Sequence, residues 1–94
     1  MTVADTIRRK IQQALEPQRL IIIDESAQHA GHSGARPGGE THFRLEIIAE
    51  AFAGKSRIER QRLVYDVIAD EMVRQVHALA LKTQTPEESG LSVA

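Results

Sequence analysis

A small α/β domain, in the order helix, strand, strand, helix, strand, is the fold class this 94-residue sequence predicts. Three observations carry it. Apolar residues recur at helical spacing from Val3 to Leu15. Two strand-like segments flank a glycine-rich stretch. A serine–glutamate capping pattern opens a second helical segment, and a short apolar run follows it.

Val3, Ile7, Ile11, Ala14 and Leu15 define one face of the first helix, and Pro17, which lacks an N–H and fixes φ, stops it. Arg19 to Asp24 carries Leu20-Ile21-Ile22-Ile23, a β-branched run too short for a helix, and reads as a buried strand. Glu25 to Glu40 holds four of the six glycines, Pro37 and two of the four histidines, which predicts a mobile surface loop. Thr41 to Ala49 alternates, with Phe43, Leu45, Ile47 and Ala49 on one face and His42, Arg44, Glu46 and Ile48 on the other. This is a half-buried strand, paired with the first as an antiparallel hairpin.

Phe52-Ala53-Gly54-Lys55 turns the chain. Ser56 and Glu59 have the spacing of a capping box, and a helix is predicted to run to about Gln75 on a stripe of Val64, Val67, Ile68 and Met72. Ile58 leaves room for a separate short turn ahead of the main helix. Val76 to Thr83 reads as a third strand, and Pro86-Glu87-Glu88 as one last helical turn before a frayed tail.

Composition bounds the function. A domain this short buries only about 60–65% of its unfolded surface, so the core is thin. It rests on Leu, Ile, Val and Ala, with Phe43, Phe52 and Tyr65 as the aromatics and no Trp. Twelve basic and 13 acidic residues give a net charge of −1, against strong non-specific binding to nucleic acid or anionic membrane. Cysteine is absent, which removes disulfides and thiolate chemistry. The first residues lack the apolar core of a secretory signal, so no such leader is expected, and no apolar run approaches the ~20 residues of a membrane span. A cytoplasmic protein is expected.

Two groups of residues could carry chemistry. His29 and His32 fall in the glycine-rich loop, His42 starts the second strand and His77 the third. Neutral imidazole is a good metal ligand, but no pair has the spacing of a zinc protease, and the plain reading of each is a surface or hydrogen-bonding histidine. Lys55, Arg57, Arg60 and Arg62 cluster at a helix N-terminus, where backbone N–H groups favour anions. They form either a phosphate-binding lip or a solvated face balanced by Glu59, Asp66, Asp70 and Glu71. No aromatic is interleaved for base stacking. Catalytic constellations are missing, and the glycine-rich loop lacks the G-K-[ST] ending of a P-loop, so no enzyme is expected.

Taken in chain order, several blocks resemble the BolA-like family. They are Asp24-Glu25-Ser26 with His29, then Glu40-Thr41-His42-Phe43, Phe52-x-Gly54, Arg60-Gln61-Arg62-Leu63-Val64-Tyr65, Val76-His77-Ala78-Leu79 and Thr83-x-Thr85. The resemblance runs from about residue 5 to residue 88, within a domain set at residues 1–88, with 89–94 as a flexible tail. It implies a three-stranded mixed sheet with helices packed on one side, type II KH-like, in the order α-β-β-α-α-β. It also implies a heterodimer with a monothiol glutaredoxin that bridges a [2Fe–2S] cluster. A glutaredoxin cysteine and a glutathione thiolate hold one side. The BolA-like chain supplies His77 and a loop residue, here a histidine because no cysteine exists. Two imidazoles on one iron have a precedent in Rieske centres. Counting forward from Ser26 favours His29 as the loop donor, and counting back from Thr41 favours His32. His42 is expected to be structural. The isolated protein should hold no cofactor and be a monomer. DNA-binding regulation is the alternative that the family resemblance carries.

Overall fold

The computed structural model describes residues 2–25, 42–74 and 76–90. Helix α1 spans Val3–Leu15 and begins on a capping box that the apolar spacing alone did not signal. The Thr2 hydroxyl accepts the Asp5 N–H at 3.0 Å, and the Asp5 carboxylate accepts the Thr2 N–H at 3.2 Å. Val3, Ile7, Ile11 and Leu15 are buried, as their spacing requires, and each fully buried aliphatic side chain is worth about 1.5–3 kcal/mol. The helix ends at Glu16, whose φ of 46° is left-handed and whose N–H bonds back to the Gln12 carbonyl.

Strands β1 (Arg19–Asp24), β2 (His42–Ile48) and β3 (Ala78–Gln84) form one sheet in the order β1-β2-β3. The β1–β2 pair is antiparallel, the predicted hairpin, whereas β3 runs parallel to β2. The sheet is therefore mixed, and the parallel step requires the long helical crossover between β2 and β3. Register sets Leu20 and Ile22 beside Ile47 and Leu45, and Leu79 and Leu81 beside Phe43 and Leu45. These residues share the face that meets the helices. The opposite face carries Ile21, Arg44, Glu46 and Lys82, and β1 is a half-buried edge with Ile23 40% exposed rather than the buried strand its composition suggests.

A short 3-10 turn at Glu50–Phe52 buries Phe52 completely, and Gly54 takes φ 75° to redirect the chain. The single long helix that the residue pattern predicts here is two, in agreement with the α-β-β-α-α-β order that the family resemblance implies. Helix α2 covers Arg57–Val67 and α3 covers Ala69–Arg74, with Ile68 between them at φ −113°, ψ 30°. No glycine or proline marks this break. Val64 and Ile68 both stay fully buried across it. The Lys10 ammonium bonds both oxygens of the buried Glu71 carboxylate at 2.9 Å, tying α1 to α3. Beyond β3, Thr85 and Glu88 form a third capping box, and Pro86 opens α4 (Pro86–Ser89), the predicted last turn.

Candidate functional site

The N-terminal ends of β2 and β3 lie side by side, and two histidines meet there. His42 opens β2 opposite Ala78 of β3. Its carbonyl accepts the Glu25 N–H at 2.7 Å, which closes the hairpin on the other side. The alternation along β2 put His42 on the solvent face, yet it is only 6% exposed. His77 stands one residue ahead of β3 rather than inside it, and is exposed. The strand starts later than predicted because Val76, two residues past α3, is bonded back to that helix. Val76 is buried, and its N–H bonds the Glu71 carbonyl at 2.8 Å. His77 is thus flanked by a buried anchor and by a strand residue in register.

The two imidazole rings are 5.4 Å apart between centroids and inclined by 53°, within the range of tilted aromatic contacts. Nearby, Arg44 and Glu25 form an ion pair at 3.2 Å. His29 and His32 lie outside the described residues. The residues on which their segment is rooted, Glu25 and His42, stand at the same sheet end as His77. Among the described residues, no group of three or more His, Cys, Asp or Glu could hold a metal ion. An exposed imidazole can nevertheless complete the coordination of a metal whose other ligands come from elsewhere.

The four cations of the sequence cluster separate in the structure. Lys55, Arg57 and Arg62 are exposed around the start of α2. The helix N-terminus beside them is capped from within: Ser56 Oγ accepts the Glu59 N–H at 3.2 Å, and Glu59 Oε1 accepts the Ser56 N–H at 2.8 Å. Arg60 is buried and internally bonded, a correction to its place in both a phosphate lip and a solvated face. Its guanidinium donates to the Lys55 carbonyl at 3.0 Å and the Thr83 carbonyl at 3.3 Å, and it grips both oxygens of Glu88 at 2.6 and 3.0 Å. It also lies 5.9 Å over the Phe52 ring. The Arg60 bonds, then the Thr85 N–H, hold the Glu88 carboxyl down at about 2. This clamp was missed because its members stand far apart in sequence. The Thr85-Pro-x-Glu88 capping pattern was the available hint.

The mixed sheet, the helices packed on it, the histidine pair at one end and the Arg60–Glu88 clamp at the other define a small α/β domain. Residues 11–88 match the family described as BolA-like protein, and the chain belongs to that family. It is 43% identical over 88 residues to the protein BOLA1, chloroplastic, of Arabidopsis thaliana, covering 92% of this chain and 55% of that one. The solved structure of BolA1 from Arabidopsis thaliana superposes with a TM-score of 0.84 at 40% identity, covering 94% of this chain and 96% of that chain. The DNA-binding transcriptional regulator BolA of Vibrio cholerae is 36% identical over 86 residues, covering 92% of this chain and 77% of that one. The chain spans little more than half of the Arabidopsis BOLA1, and 23% of SufE-like protein 1, chloroplastic/mitochondrial, from the same plant, to which it is 45% identical over 86 residues. Among the described residues, no helix is long and apolar enough to cross a membrane.

Proposed function

We propose that this chain is a non-catalytic binding domain that pairs with a monothiol glutaredoxin and shares a [2Fe–2S] cluster with it as cargo. The observation that carries the reading is the position of His77, an exposed imidazole on an anchored backbone, at the sheet end where the glycine-rich segment is rooted. His77 offers a lone pair to one iron, and His29 or His32 supplies a second. The glutaredoxin cysteine and glutathione hold the other iron. The absence of thiols in this chain fits a donor set of imidazoles, which bind iron when neutral. One strongly placed donor and one on a long segment suit a site that forms only when the partner brings its own ligands.

The test is co-expression with a monothiol glutaredoxin, followed by visible absorption and circular dichroism of the purified complex. A coloured complex whose spectrum changes in His77→Ala is expected. A colourless complex, or a spectrum indifferent to His77→Ala, overturns the reading.

A second reading, DNA binding, draws on the exposed Lys55, Arg57 and Arg62 and on the Vibrio cholerae relative described as a DNA-binding regulator. It is the weaker of the two because Arg60 and the α2 N-terminus are already engaged within the fold. Retention of DNA at ~50 mM salt, where phosphate contacts are strongest, separates it from the first.

A further inference from the structure

We propose that His42 is a positioning residue for His77, holding the His77 ring in one orientation so that its lone pair points out of the sheet end. This rests on the reading of His77 as a ligand, and deepens it by naming the group that orients that ligand.

Burial, rigidity and contact all point the same way. His42 sits on the central strand, its carbonyl accepting the N–H of Glu25, the residue after β1, and in register with β3. The residue is 6% exposed, an unusual place for an imidazole that does nothing but face water. The His77 backbone is pinned from both directions by Val76 and by Ala78. Its side chain, by contrast, is exposed and free to rotate about two torsions unless something limits it. The tilted ring contact at 5.4 Å is the contact that does so. A ligand that must meet a metal delivered by a partner gains from being ordered beforehand, since the conformational freedom is then lost on folding and not on docking. Groups of this kind, which touch the ligand and not the metal, typically change metal affinity 10–100-fold when removed. A purely structural role for His42 would show as lost stability alone.

Two measurements separate the possibilities. In the isolated protein, NMR relaxation and side-chain couplings report the order of the His77 ring. His42→Ala should increase the ring's motion, and His42→Phe, which keeps a flat ring in the same place, should restore order. In the glutaredoxin complex, held well below the melting temperature of each variant, His42→Ala should shorten cluster lifetime about tenfold and alter the visible circular dichroism, with His42→Phe recovering most of both. Unchanged His77 ring order in His42→Ala overturns the proposal, whatever the complex does. If the ring loosens in His42→Ala but His77→Ala leaves the cluster untouched, His42 still positions His77 and it is the ligand reading that fails.

Discussion

The two ends of the sheet hold polar groups of similar appearance in the sequence and treat them in opposite ways. At the far ends of β2 and β3, roughly 20 Å from the histidines at ~3.3 Å per residue, Arg60 is bonded to two carbonyls and a carboxylate. Four of the five N–H donors of its guanidinium are engaged inside the fold. At the near ends, His77 is supported by a fixed backbone and a neighbouring ring, while the imidazole itself stays exposed. The difference lies in what the rest of the fold has already engaged. A buried charge must have internal partners to be tolerated, and those partners remove it from recognition. A functional ligand needs the reverse, a rigid support with open valence.

The largest expected effects sharpen this contrast. His77→Ala should reduce cluster retention in the glutaredoxin complex by ~10-fold or more, with almost no change in melting temperature, because the lost side chain is exposed. Visible circular dichroism and a thermal melt on the same samples check both halves. Arg60→Ala should do the opposite. It strips two carbonyls and Glu88 of their donor and uncovers Phe52, which costs about 2 kcal/mol, or about 10 °C in melting temperature for a domain of this size. Cluster retention below that temperature should be unaffected. A clamp variant that melts normally would show that Arg60 is less engaged than its bonds indicate.

Smaller effects follow from the other internal ion pair and from pH. Lys10→Met leaves the buried Glu71 carboxylate without its ammonium and should cost about 1 kcal/mol, read by urea denaturation. Glu88 is held at about 2, below its ordinary 4.5. The depressed value means that its contribution to stability is complete above pH ~4.5 and is lost as pH falls toward 2, where the folded carboxylate is protonated too. Melting temperature should therefore decline more steeply across that window in the natural chain than in Glu88→Gln. Equal slopes would remove Arg60–Glu88 as the cause. Smallest of all, Arg57→Glu should lower any DNA retention at ~50 mM salt without changing stability, since Arg57 is exposed.

Local pattern was enough for much of this molecule. The period of Val3, Ile7, Ile11 and Leu15, the stop at Pro17, the alternation of Phe43, Leu45 and Ile47, and the Ser56–Glu59 cap are short-range signals. Each is read within one or two turns of chain, and the elements they predict stand where expected to within a few residues. The family resemblance rested on blocks spread along the same chain, and residues 11–88 carry the family match. His77 was legible as a candidate, though on the strand and not just ahead of it. What stayed hidden depends on residues far apart in sequence. The break at Ile68, across which Val64 and Ile68 stay buried, carries no glycine or proline signal in the chain. Burial of His42 and its contact with His77 arise only when β3 lies parallel to β2. Removal of Arg60 from the surface requires Glu88, brought back over the end of β3 by α4. By itself, then, the sequence determined the elements, because hydrogen bonding and hydrophobic periodicity act between near neighbours. Tertiary structure alone decided which polar side chains are engaged inside the fold and which face outward, because that choice is made by partners the chain meets only when it folds.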